Sequence, residues 1–543
     1  MSEKTSVEQS NVAAPPDSAV QKTTAASQAW TPSFNPWLIA ISVMLATVME
    51  VLDTSVANVA LPHIAGNLSA TTDEATWVLT SYLISNAIIL PATSWITKFI
   101  GRKRFLIISI IVFTIASALC GAAPNLTILI IARILQGIGG GALQPIAQAV
   151  LLESFPPAKR GAAMALYGMG VVVAPIIGPT LGGWVTDNYS WRWIFYINLP
   201  VGLLAAFMAN TFVEDPPYIQ NQKPGRIDYI GFGLMALGLS ALELTLDLGQ
   251  QRDWFSSPVI IFTTIASAVC LLVFVAWELY TDEPIVNLRV FLNRNFAVGT
   301  ALIGSVGVVL YGSTVLIPLF LQTLLGYSAT ESGIAISPRG IGSVVSMIIV
   351  GRLIGKVDSR YLIMFGFLVL GLSTYVFTGI NLEIAQTNII YPIIVSGFAL
   401  GFVFVPLTTL TMGTLSNDEI GNASGIYNLM RNTGGSFGIA AITTFLSRGA
   451  QQHQVPLSAN LDQYNPAFQR TFEQIKNSFM AHADVVTATQ QAYQAVYGMM
   501  VKQAAVLAYI DNFRLLAFIC FIGVPAALLF KRVKNTKPPP GVH

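Results

Sequence analysis

Apolar runs long enough to cross a bilayer recur fourteen times in this chain of 543 residues, and they constrain its fold more than any other feature. A spanning helix takes about 20 mostly apolar residues. Runs of that kind fall near 37–60, 76–97, 105–123, 127–150, 161–186, 191–212, 227–248, 257–279, 296–321, 331–354, 361–379, 388–412, 422–446 and 508–530. Only 10% of residues are charged, against roughly 25% in soluble domains. No stretch alternates in polarity as barrel strands do. The chain therefore reads as an all-α membrane protein with 14 transmembrane helices. Residues 1–35 are polar and lack a basic-then-apolar leader, so a disordered cytoplasmic tail is expected there, with a second short tail at 531–543. Cys120, Cys270 and Cys520 lie in apolar runs and the four histidines are scattered. Neither a disulfide framework nor a metal site is indicated, and no cofactor is expected.

Basic residues set the expected orientation, because cytoplasmic loops carry an excess of Lys and Arg. With the N-terminus inside, nineteen of the 29 basic residues lie in inside segments and two, Arg192 and Arg252, in short outside loops. Both termini are thus expected in the cytoplasm. Gly161, Ala163, Tyr167 and Gly178 recur 260 residues later as Gly421, Ala423, Tyr427 and Gly438. This repeat predicts an N-terminal six-helix bundle over 36–213, an inserted two-helix linker over 214–283 and a C-terminal six-helix bundle over 284–530. The last contains a periplasmic loop at about 447–507, where amphipathic helices are expected. Two halves facing a central cavity is a transporter architecture, with ligands held near the midplane.

Charges inside the spans are the candidate site. Glu50 and Asp53 sit in the first run, about 60° apart on one helix face. A charge at the centre of a spanning helix costs on the order of 2.5–3.5 kcal/mol. They are either a protonatable site in a polar cavity or acids that reach headgroup water. Asp53 is expected about 10 Å and Arg133 about 9 Å from the outer ends of their helices. An ion pair between them is geometrically open, and contact of Arg133 with backbone carbonyls is the other reading. Asn58 and Gln136 are further candidates for a substrate cavity. Arg339 and Arg431 either bind anionic substrate groups or cap helices and snorkel. In the fifth run Gly178 and Gly182 are spaced for close helix approach, Gly183 follows, and Pro175 and Pro179 favour a kink. Gly101-Arg102-Lys103-Arg104 is either a gate closing the cytoplasmic side or a plain positive-inside anchor.

Several of these strings carry a family resemblance. Leu52-Asp53-Thr54-Ser55-Val56-Ala57-Asn58-Val59-Ala60-Leu61-Pro62 resembles the first-helix signature of fourteen-helix drug:proton antiporters of the major facilitator superfamily. Arg133-Ile134-Leu135-Gln136-Gly137 is similar to the fourth-helix motif, and Ala174 through Gly183 to the fifth-helix antiporter motif. Trp191 through Gly202 and Leu246 through Ser257 resemble the EmrB branch. The string Ser94 through Arg104 departs from the family pattern, with Ser94 and Lys98 in place of a leading glycine and an acid.

The resemblance implies the major facilitator fold and proton-coupled efflux of amphipathic toxins. Asp53 and Arg133 would be the coupling groups, joined in our reading by Glu50. It also implies a bacterial inner membrane, an EmrA-like periplasmic adaptor and a TolC-like outer-membrane channel. Export of one narrow class, such as fatty acids or siderophores, and solute:proton symport are the alternatives. Enzyme and ATPase readings fail on context. Gly351 through Val357 lacks phosphate-loop spacing, and Gly434-Gly435-Ser436-Phe437-Gly438 lies in an apolar helix without a strand-to-turn setting.

Overall fold

The structure is a computed structural model that describes residues 32–156, 159–216, 228–459, 461–462 and 464–532. The expected disordered tail at 1–35 lies almost wholly outside the described residues, as does most of 531–543. The first half comprises α1 (Pro36–Asn67), α2 (Thr72–Ile100), α3 (Arg102–Ala122), α4 (Leu126–Gly140), α5 (Leu143–Ser154), α6 (Arg160–Asn188), α7 (Trp193–Tyr196) and α8 (Asn198–Phe212). The inserted hairpin is α9 (Tyr229–Leu248) and α10 (Pro258–Tyr280). The second half comprises α11 (Arg294–Thr323), α12 (Ala329–Ile336), α13 (Pro338–Leu353), α14 (Ser359–Val376), α15 (Gln386–Met412), α16 (Asn417–Ser458), α17 (Pro466–Met480) and α18 (Val485–Ala526).

Thirteen stretches among the described residues are helical, long and apolar enough to span a membrane. The fourteenth run lies in α16, which carries Asn417, Asp418, Glu419, Asn422, Asn428, Arg431 and Asn432 and is too polar to qualify by composition. It nevertheless packs along α11 and α18 inside the second half. Asn417, Asp418 and Glu419 are exposed at its first turn, whereas Asn428 and Arg431, deeper in the helix, are buried against protein, which is where a membrane tolerates them.

Three spans are interrupted. The fourth breaks between α4 and α5 at Gly141 and Ala142, the sixth at Ile197, and the tenth at Ser337. Glycine explains the first break. A Cβ at Gly137 would lie 2.6 Å from the Tyr82 carbonyl oxygen, and one at Gly139 would lie 2.6 Å from the Phe113 nitrogen. Helix α4 is therefore wedged between α2 and α3 at a distance only glycine permits.

The halves meet along α2 with α16 and along α6 with α13. On the face carrying Lys98–Arg104, hereafter the basic face, α5 also packs on α16 and α6 on α15. On the opposite, far face α12 packs on α6, where a Cβ at Gly333 would lie 2.8 Å from Thr180, while among the described residues α1 and α11 make no comparable contact. The bundle is thus closed at its basic end.

Two expectations about lengths need correction. Helix α1 continues to Asn67 rather than stopping near residue 60, which puts Asp53 close to its middle. Much of the expected loop at 447–507 is continuous helix, because α16 runs on to Ser458 and α18 begins at Val485. Between them α17 is amphipathic, and its Phe472 packs with Ala492 and Val496. Val486 and Tyr493 are exposed.

Candidate functional site

The first half holds a buried network around Asp53, which is 3% exposed. Arg133 of α4 donates from Nη1 to Asp53 Oδ2 at 2.6 Å. Gln136, one turn further along α4, donates to Asp53 Oδ1 at 2.9 Å, and Asn198 of α8 donates to the same oxygen at 2.6 Å. Asn198 is braced by Ser117 of α3 at 3.0 Å. The carboxylate thus accepts three hydrogen bonds from two helices other than its own. Arg133 also donates from Nε to the Val78 carbonyl at 2.9 Å and lies 4.3 Å from the centre of the Tyr82 ring. The arginine contacts both the acid and a backbone carbonyl, so it does not serve backbone carbonyls alone. Its Nη2 is buried without a hydrogen-bond partner among the described residues.

Tyr82 joins this network to a second one. Its hydroxyl donates to Glu50 Oε1 at 3.0 Å, beside Asn86 Nδ2 at 3.2 Å. Gln144 of α5 donates to Glu50 Oε2 at 2.7 Å. Gln144 in turn accepts from Arg431 of α16, whose guanidinium also reaches Asn432 at 3.1 Å. A continuous polar chain therefore runs from Glu50 in the first half to Arg431 in the second. One turn along α5, Gln148 accepts from Asn428 at 2.8 Å, and Tyr167 of α6 donates to Asn428 at 3.1 Å. These contacts lie where the halves close on the basic side.

The remaining candidates fall elsewhere. Asn58 is exposed and donates to the Thr54 carbonyl of its own helix, apart from the Asp53 network. Arg339 is fully buried, which removes snorkelling, and its partners are Ser313 at 3.0 Å and Thr314 at 3.4 Å on α11. The structure does not bring it to Asp53 or Glu50.

The fifth-span motif makes the contact between α6 and α1. Pro179 has no N–H to offer the Pro175 carbonyl, and that oxygen instead accepts from Ser55 of α1 at 2.9 Å. A Cβ at Gly178 would stand 2.5 Å from Ser55 Oγ, and one at Gly182 2.9 Å from Val56. Gly183 is looser, with Val59 at 3.9 Å. Gly178→Ala is expected to destabilise the protein by about 1–3 kcal/mol through overpacking. Gly183→Ala is expected to change stability by less than about 0.5 kcal/mol. Denaturation in detergent micelles checks both, and equal losses would show that close approach at Gly178 does not matter.

The basic loop is organised by acids distant in sequence. Gly101 turns the chain at φ 88°, a conformation that favours glycine, and a Cβ there would meet Asp215 at 3.0 Å. Lys103 N donates to Asp215 Oδ1 at 2.8 Å. Arg102 forms a buried ion pair with Glu153, at the last turn of α5. Glu153 and Asp215 thus provide the negative charge that the loop string itself lacks. Arg104 is exposed.

Sequence reading missed Gln144, Asn198, Tyr82, Asn86, Gln148 and Asn428. Their signal was present as amides and a hydroxyl inside apolar runs, where a polar side chain needs a partner.

Two helical bundles around buried, cross-linked charges define a membrane transporter rather than an enzyme. The comparisons agree. The model of the Major Facilitator Superfamily matches residues 43–439. The multidrug export protein EmrB of Haemophilus influenzae is 39% identical over 460 residues, covering 84% of this chain and 89% of the relative. The fatty acid resistance protein FarB of Neisseria gonorrhoeae is 38% identical over 461 residues, covering 84% and 90%. The solved proton:xylose symporter XylE superposes with a TM-score of 0.56 over 90% of this chain and 96% of that one, at 13% identity, which speaks to fold alone. The chain belongs to the major facilitator superfamily, in its EmrB-like branch, and is a multi-pass membrane protein.

Proposed function

We propose that this chain is a proton-coupled exporter of amphipathic, apolar toxins, with its basic face in the cytoplasm. The observation that carries the reading is the buried Asp53–Arg133 pair at 2.6 Å. Burial favours a neutral carboxyl and a nearby guanidinium favours the ionised form. An acid that alternates between these settings takes up a proton on one side and releases it on the other. Protonation of Asp53 removes the charge that holds Arg133 and loosens the joint between α1 and α4. Relatives named for multidrug export and for fatty acid resistance support this reading, fatty acids being amphiphiles.

The closed basic end makes this an outward-facing arrangement, ready to accept a proton from outside. The projecting ends of α16 and α18, with α17 across them, present exposed Val485, Val486 and Tyr497. We assign that surface to an EmrA-like adaptor leading to a TolC-like channel across a second membrane.

The test uses the purified chain in proteoliposomes with a pH-sensitive dye trapped inside. An inward gradient of ethidium should make the lumen alkaline, because antiport moves protons outward whichever way the protein is inserted. Acidification of the lumen would establish symport instead, and no pH change would overturn proton coupling.

A further inference from the structure

The inserted hairpin is built into the seam between the halves. Helix α9 packs on α2 of the first half and on α16 of the second. On the face it presents to them it carries the buried Glu243, and one turn further along stands the exposed Asp247. Glu243 is 5% exposed and faces Ser436 of α16, and Asp247 meets the Thr80 hydroxyl of α2. Among the described residues no Lys, Arg or His forms an ion pair with either carboxylate. A buried carboxylate with no cation is costly to keep unless something pairs with it.

The same seam widens toward the far face into a cavity of about 540 Å³, open on one side and walled by Leu246, Trp254, Phe255, Phe437 and Phe445. Ligand pockets for small molecules run from about 300 to 1,000 Å³. Leu246 lies three residues beyond Glu243 on α9, and Ala440, another wall residue, four beyond Ser436 on α16. Residues so spaced share a helix face, so the carboxylate sits one turn deeper than the aromatic walls.

The walls are held in place at some cost. Asp253 and Trp254 adopt φ values of 52° and 48°, which non-glycine residues rarely do. The Trp254 indole donates to Thr444 of α16 at 2.9 Å, and Asp253 pairs with Arg448 at 3.7 Å across the rim. Strained backbone that persists is a mark of functional sites. Asp253 and Arg448 balance one another, so the unbalanced buried charge of the seam is that of Glu243.

We propose that the seam between α9 and α16 is a second binding site, for amphipathic organic monocations. The aromatic walls take the apolar body, to which a cation is also attracted through the ring faces. The Glu243 carboxylate at the inner end takes the charge. The site is separate from the Asp53 network and does not depend on proton coupling.

Equilibrium dialysis of the full chain in lipid nanodiscs, with tetraphenylphosphonium and the neutral triphenylphosphine oxide as probes, tests this. It is run in an Asp53→Asn, Glu50→Gln background so that the central acids do not contribute. Glu243→Gln should raise the Kd for the cation by about tenfold or more, the equivalent of losing one charge-assisted contact, and leave the neutral probe unchanged. Ala441→Trp, which fills the cavity and spares the acid, should weaken both probes. Size-exclusion profiles and thermal midpoints matching the background protein certify folding of each variant. Unchanged cation binding in either variant overturns the site. Equal losses of both probes in Glu243→Gln would show an apolar crevice occupied by lipid, and would overturn it too.

Discussion

Arg133→Leu should destabilise the protein by about 3–5 kcal/mol, the usual consequence of removing one partner of a buried ion pair. The change strands Asp53, which would keep Gln136 and Asn198 as donors but lose the one cation that pairs with it among the described residues. The converse change, Asp53→Asn, is milder, because Arg133 retains Gln136 at 2.8 Å, the Val78 carbonyl and the Tyr82 ring. Once Asp53 is neutral, the leucine no longer strands a charge. The double variant should therefore be more stable than the sum of the single losses predicts, by at least about 1 kcal/mol, as expected for residues in direct contact. Denaturation of the four proteins in one detergent gives the cycle. Transport should be lost in both single variants and in the double, since restoring stability does not restore a proton carrier. Additive losses would show that the two groups act independently in spite of their 2.6 Å contact.

The fold was legible because a bilayer admits few alternatives. Backbone groups in lipid must be satisfied internally, so apolar length alone marks helices. The run near 422–446 shows how far this reaches. It reads as a span although α16 is polar, because its polar residues cluster where they face other helices. Meeting of Asp53 and Arg133 was also legible, though by an imperfect route. The depth estimate took residue 60 as the end of α1, whereas the helix continues to Asn67. The pairing survives because a buried arginine is driven to a carboxylate wherever one can be reached.

What stayed hidden depends on which helices touch. Asn198 reaches Asp53 only because α8 packs on α1, and nothing in the string near it names that partner. Likewise Glu153 stands 51 residues from Arg102, so the loop looked short of an acid that the fold brings from α5. Asn58 stands apart from the Asp53 network. It sits within the signature string, but a step of five residues from Asp53 turns it about 140° around the helix, off the face that carries the acid.

Glu50→Gln should selectively weaken export of lipophilic cations. Glu50 is an acceptor for Tyr82, Asn86 and Gln144, and through Gln144 it is linked to Arg431 across the halves. A glutamine there presents an amide NH2 toward groups that are themselves donors. Where that amide faces Gln144 the 2.7 Å contact breaks, whereas the Tyr82 hydroxyl, which can also accept, adapts to it. The link between halves would then be perturbed for every substrate, a modest and uniform effect. The lost charge acts differently. Two unit charges at about 4 Å interact by roughly 4 kcal/mol at an effective dielectric of 20, and a neutral substrate gains nothing from it. Realising about a third of that gives a loss of about tenfold for a monovalent cation. Charge movement changes too, at about 2.3 kcal/mol per elementary charge per 100 mV. If both Glu50 and Asp53 carry protons inward, exchange against one monovalent cation moves net charge, and with Glu50 silenced it does not. Export of tetraphenylphosphonium from proteoliposomes should therefore fall about tenfold and lose its dependence on an imposed potassium diffusion potential. Export of a neutral or anionic amphiphile should fall by less than about threefold. Equal losses for cationic and neutral substrates, or an unchanged response to potential, would reduce Glu50 to a polar residue that packs between α2 and α5.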